Sequence, residues 1–236
     1  MDPIIDLLRH SNEDGLEDRL ELMPPLTDQE LAAFEAGLSC RLPSEIRDLL
    51  EFARGFSGVL DGLSFSGVPH GFGAEEIFPY GISLAGDGAG NFWVGDLTSD
   101  SRSRGPIFYA CHDPPVVVYQ AEGLSHFIQE AIRFVNRPWK SEISGVHGKL
   151  SHRLWRDNPG VLSFAQCLNA RDQDIRAFAR SLDETWQLID LRNPRLGDGF
   201  SWGRYGAGTV IRRFGEKRLF AYRKKGLGAR FLDAAR

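Results

Sequence analysis

Ile107-Phe108-Tyr109-Ala110-Cys111-His112-Asp113-Pro114-Pro115-Val116-Val117-Val118-Tyr119-Gln120-Ala121 holds two apolar runs on either side of a turn. Both Ile107–Cys111 and Val116–Ala121 are rich in β-branched and aromatic residues, which suit a pleated, half-buried surface, so each predicts a strand. Upstream, glycines at 55, 58, 62, 67, 71, 73, 81, 86, 88, 90 and 95 separate shorter runs, of which Ile82–Leu84 and Phe92–Leu97 are further strand candidates. That punctuation is the rhythm of a β-meander. Downstream, Leu124, Phe127, Ile128, Ala131, Ile132 and Val135 keep a 3.6-residue period and predict an amphipathic helix, with Ser125 as its cap.

Two helices precede the meander. Thr27-Asp28-Gln29-Glu30 is a capping box, and Leu26 with Leu31 supplies the matching hydrophobic staple. Leu31, Phe34 and Leu38 define its apolar face, with Gly37 as the stop. Pro43 presets φ for the second helix, where Ile46, Leu49, Leu50 and Ala53 share one side and Gly55 offers a left-handed exit.

The order of these pieces resembles the SUKH superfamily over residues 20–136. The residues that carry the likeness are Leu42-Pro43-Ser44-Glu45-Ile46, Gly86-Asp87-Gly88-Ala89-Gly90-Asn91 before the strand Phe92–Leu97, Ile107-Phe108-Tyr109, His112-Asp113 and the closing helix. Members often carry Asn-Gly after the second helix, where this chain reads Ala53-Arg54-Gly55-Phe56. The superfamily groups bacterial immunity proteins with fungal cell-wall regulators. The resemblance implies an α+β fold, a twisted antiparallel sheet flanked by helices, that binds another protein without catalysis. In bacteria that partner is typically a toxin, often a nuclease or deaminase.

Charge divides the chain in two. Residues 1–136 carry eight Lys and Arg against 22 Asp and Glu, and residues 137–236 carry 20 against ten. An acidic front suits solubility, as a solvated face at Glu13, Asp14, Glu17, Asp18 and Glu21 would provide, or a cationic partner such as the phosphate-gripping surface of a nuclease. Arg137 to Gly160, with Pro138, Gly145, Gly148, Pro159 and Gly160, reads as a linker between an acidic binding domain (1–136) and a basic αβββ module (161–236). In the module, a helix enters near Asp172, Trp186–Leu191 is a strand, and Thr209–Phe214 with Arg218–Tyr222 forms a hairpin. A tail of this size is small for an independent core, so it is expected to dock on the front domain. Its interleaved Trp202, Arg204, Tyr205, Arg212, Arg213, Arg218 and Arg223 suit that docking, a partner, or nucleic acid through phosphate contacts and base stacking.

No catalytic, cofactor or metal motif emerges. Gly86–Asn91 lacks the P-loop lysine and misses the dinucleotide spacing, and Asp87 would repel a phosphate. Cys111 and His112, as neighbours on a strand, point to opposite faces and cannot form a nucleophilic pair. His147 and His152 have no Cys or carboxylate at ligand spacing. Cys40, Cys111 and Cys167 are isolated thiols that suit a reducing compartment. With no membrane-length apolar run and no cleavable leader pattern at Met1 to His10, the expectation is a cytoplasmic protein. The candidate partner surface is Asp61, Glu75, Glu76, Asp87, Trp93, Asp96 and Asp113, aromatics as anchors and carboxylates as orienting charges. A regulatory scaffold for an endogenous partner and nucleic-acid binding by the tail are the alternatives.

Overall fold

The capping box at Thr27 forms: Glu30 N–H donates to Thr27 Oγ1 at 3.3 Å, and Thr27 N–H donates to Glu30 Oε2 at 2.8 Å. It opens α1 (Asp28–Ala36) in a computed structural model that describes residues 5, 6, 8, 9, 21–38, 40–57, 63, 64, 73–99 and 105–225. Helix α2 (Ser44–Phe52) follows, with Ile46, Leu49 and Leu50 buried as their spacing requires. It ends at Ala53, so Gly55 is not its exit but the first residue of β2. Strands β1 (Glu21–Leu22), β2 (Gly55–Ser57) and β3 (Leu63–Ser64) make a small antiparallel sheet.

The meander forms as the sequence predicts. Strands β4 (Gly81–Gly86), β5 (Phe92–Asp96), β6 (Ile107–His112) and β7 (Pro115–Ala121) are consecutive antiparallel neighbours. Helix α3 (Leu124–Asn136) closes the unit, and Gly123 takes the capping position expected of Ser125. Strand alternation then sorts the sheet's side chains. Trp93, Tyr109, Cys111, Val116 and Val118 face a core shared with α1, α2 and α3, while Val94, Phe108, Ala110 and Val117 face the other way.

Residues 137–160 differ from the expected linker. A 3₁₀ turn at Pro138–Lys140 is followed by α4 (Glu142–Gly145), a π turn at Val146–Leu150 and α5 (Ser151–Asp157). Ile143, Val146 and Leu154 are buried in the front core, with Leu150 packed against it. Hydrophobic contact, which glycines at 145 and 148 mask in the sequence, holds this segment in place.

The tail is more than αβββ. It comprises β8 (Leu162–Ser163), α6 (Phe164–Leu168), α7 (Gln173–Arg180), β9 (Gln187–Asp190), β10 (Gly199–Phe200), β11 (Thr209–Arg213) and β12 (Leu219–Lys224). Four of the strands make a sheet in the order β11-β12-β9-β8, and β10 leaves it to pair antiparallel with β7. The front sheet is therefore five-stranded, in the order β10-β7-β6-β5-β4. Ile189, Leu191, Phe200, Phe220 and Tyr222 pack with Val94, Phe108, Ala110 and Val117 in one cluster. The tail thus covers the sheet face that the helices leave free, and the whole is α+β. Among the described residues no helix is long and apolar enough to cross a membrane.

Candidate functional site

Charge joins the two halves at Asp96. Its side chain is 0% exposed, and Arg213 grips it in a fork, Nη1 to Oδ1 at 2.8 Å and Nη2 to Oδ2 at 3.0 Å. Arg218 Nε adds a bond to Oδ2 at 2.7 Å. Arg213 also donates to the carbonyls of Ile77, Lys217 and Glu216, so every guanidinium N–H has an acceptor. Asp96 is consequently no partner-facing residue. Trp93 is also corrected: it is fully buried, its Nε1–H donating to Gln120 Oε1 at 3.2 Å.

Asp87 is engaged as well. Oδ1 accepts the amides of Ala89 (2.9 Å) and Asn91 (3.1 Å), while Oδ2 accepts Asn91 Nδ2 (2.6 Å), Tyr109 OH (2.9 Å) and His147 Nε2 (3.1 Å). Its side chain is 1% exposed. Burial alone would raise its pKa, yet the hydrogen bonds from Asn91, Ala89 and Tyr109 together outweigh it and hold the carboxyl at about 2. A depressed carboxylate stabilises the fold above its ordinary value of 3.8 and loses that contribution as pH falls toward 2. We expect Asp87→Asn to cost about 1–2 kcal/mol at pH 5, with the gap to the wild type closing at pH 2. Urea titrations of both proteins at the two pH values check this.

His147 reaches Asp87 from the π turn, its ring stacked on Trp93 at 6.2 Å between centroids. Sequence reasoning set it aside because its chain neighbours offered no partner. The period Ile143, Val146, Leu150, Leu154 is the signal that places its turn against the sheet.

The Asp87 loop also fixes a second histidine. Asn91 Nδ2 donates to Asp87, so its Oδ1 is left to accept, from His112 N–H at 2.9 Å and from His112 Nδ1 at 2.7 Å. An amide oxygen only accepts, which puts a proton on His112 Nδ1, so that in the neutral ring Nε2 is the acceptor nitrogen. Across the β6–β7 hairpin tip lies Trp202 of the tail, whose Nε1–H donates to the Cys111 carbonyl at 3.0 Å. Gly203 N–H donates to Pro115 O, an approach so close that a Cβ at 203 would stand 2.5 Å from Pro115 Cβ. Between these elements is a cavity of about 200 Å³, lined by Ala74, Gly90, Phe92, Ala110, His112 and Trp202 among others.

The predicted surface residues fall into three groups around this cavity. Glu76 and Asp113 are exposed, one chain position removed from Glu75 and from the lining residue His112 respectively. Glu75, half-buried, follows the lining residue Ala74 directly. The side chains of Asp87, Trp93 and Asp96 are buried and do not line the cavity, and Asp61 lies outside the described residues, as do Glu13, Asp14, Glu17 and Asp18. Sequence reasoning missed Trp202 as a rim residue, because the loop that brings it here is set by the distant pairing of β10 with β7.

Among the described residues no nucleophile is paired with a base at the site. Burial pushes the Cys111 thiol up in pKa, and its side chain packs in the helix-side core, away from His112. One histidine–carboxylate group, His126, Glu130 and Glu142, has ligand atoms within 4.8 Å of one another. Glu130, however, already accepts from Arg133, Ser141 and the Glu142 amide. In the tail, Trp186, Phe200 and Phe220 are buried, which removes them as base-stacking platforms, and Arg192 is held by Asp172, Asp174 and Asp190.

No curated protein and no solved structure matches the chain. The model of the SMI1 / KNR4 family (SUKH-1) matches residues 25–130, the span from just ahead of α1 to Glu130 in α3. That span holds the helical pair, the meander and the Asp87 loop, and over these residues the chain is similar to the SMI1 / KNR4 family (SUKH-1).

Proposed function

We propose that this chain is a non-catalytic protein-binding module that neutralises a toxin, of nuclease or deaminase type, by covering its cationic active-site surface. The observation that carries this reading is the rim cavity, lined by Phe92 and Trp202, with Glu75 and Asp113 adjacent in the chain to lining residues and Glu76 one position further. Aromatic side chains in a recess supply anchors, and carboxylates around it supply steering toward Lys and Arg. The burial of Asp87 and Asp96 narrows the partner surface to this rim. Docking of the tail's Arg213 and Arg218 on the chain's own Asp96 favours this reading over nucleic-acid binding.

The test is affinity capture from the native cell, then expression of the captured protein with and without this chain. Growth arrest relieved by the chain supports the reading. A captured partner that is harmless when expressed alone contradicts it. With that partner in hand, Glu76→Lys combined with Asp113→Lys is expected to slow association about tenfold at low ionic strength and to change dissociation little. Stopped-flow binding at two salt concentrations measures both rates, and unchanged association would remove these carboxylates from the interface.

A further inference from the structure

We infer that the rim cavity is a receptor for one cationic side chain, a guanidinium or an ammonium, of the bound partner. The inference deepens the proposed function and rests on it for the partner's identity, while the pocket chemistry stands on the geometry alone. Phe92 and Trp202 line the recess, and aromatic rings attract a cation through their quadrupoles. His112 lines it too, and its neutral tautomer is set: Asn91 Oδ1 accepts from Nδ1 at 2.7 Å, so in the neutral ring Nε2 is the acceptor. Asn91 cannot turn around, because its amide nitrogen is held by Asp87 at 2.6 Å. The Asp87–Asn91–His112 chain therefore fixes the ring of a lining residue, with its Nδ1 proton committed to Asn91.

Among the described residues no Lys or Arg lines the cavity, and the exposed Glu76 and Asp113 lie two and one chain positions from its lining residues Ala74 and His112. A planar donor ion satisfies these features together, with N–H groups for His112, a flat face for the rings, and positive charge for the surrounding carboxylates. A phosphate or carboxylate would meet a lone pair and two acids. A neutral apolar side chain would leave His112 Nε2 desolvated without a donor. Trp202 lies outside the span of the SUKH-1 match, so this chain builds the receptor from the domain and its own tail.

Methylguanidinium titrated into the isotopically labelled full chain provides the test, with urea as a neutral ion-shaped comparator and sodium chloride as the salt control. The expected result is saturable movement of the Trp202 indole N–H and Gly90 amide resonances with methylguanidinium, in the millimolar range. Urea and salt should produce no saturable shift at those concentrations. His112→Phe, which keeps a ring and removes the acceptor, should weaken binding about tenfold. Trp202→Phe, which keeps a π face, should weaken it less than Trp202→Ala. Equal responses to urea and methylguanidinium, or full binding by His112→Phe, would overturn the inference. Because the probe is a small ion, its failure leaves the growth-rescue test standing, and failure of growth rescue leaves a positive titration standing.

Discussion

Replacing Asp96 by alanine is expected to destabilise the full chain by about 3–5 kcal/mol, because it strands two guanidinium groups at a buried junction. Arg213 is 5% exposed and Arg218 19%, and among the described residues neither has another carboxylate within ion-pair distance. Breaking one side of such a cluster leaves uncompensated charge in a medium that hydrates it poorly. For a chain of this length the melting temperature should fall on the order of 10 °C. Urea denaturation of both proteins measures the effect, and a change within 1 kcal/mol would show that the junction is solvated. Replacing all three residues by apolar ones of similar volume should recover much of the loss, since a well-packed apolar junction needs no counter-charge.

The second large effect is expected at Gly199, where the tail enters the front sheet. Gly199 pairs with Val118 and Phe200 with Val117, and a Cβ built at 199 would lie 1.9 Å from the Val117 carbonyl oxygen and 2.9 Å from Leu154 Cδ1. Neither contact can yield cheaply, since one is backbone and the other belongs to the helix-side core. Gly199→Ala must therefore push β10 off β7, for a cost of about 2–3 kcal/mol. It should also disturb Trp202, two residues beyond Phe200, so loss of stability and loss of the rim cavity are expected together. Thermal melts with near-ultraviolet circular dichroism read both, and a wild-type spectrum and midpoint would contradict the pairing.

Much of the front half is legible locally. The Thr27 capping box, the apolar periods of α2 and α3, and the four meander strands are each set by residues within a few positions, and each forms where its pattern lies. What the sequence conceals is long-range. Val116-Val117-Val118 lacks the apolar–polar alternation of a half-exposed strand, and both of its faces are indeed covered, one by helices and one by the tail. Strand β10 is two residues long, too short for any pattern, and its partner lies some 80 positions upstream. Asp96 looked like a surface charge because its counter-ions are more than a hundred residues away. A carboxylate ending the strand Phe92–Asp96 is itself a sign, since a buried charge needs a partner from elsewhere.

The candidate site divides in the same way. Glu75, Glu76 and Asp113 were legible as exposed acids near loops, whereas the roles of Asp87, His112 and His147 depend on hydrogen bonds that cross from loop to strand to π turn. Opposite net charge in the two halves and the small size of the tail are the sequence-level hints of their junction. In the fold it is expressed through very few contacts, with Asp96, Arg213 and Arg218 at the centre and an apolar layer around them.

Amide hydrogen exchange across a urea series bears most directly on whether the basic tail is an integral layer of the front domain. The shared core predicts that strands β5, β6 and β7 and strands β9 and β12 lose protection through one cooperative opening, with the same free energy and the same urea dependence. Protection lost from β9 and β12 at lower urea, while β5 to β7 stay protected, would contradict it.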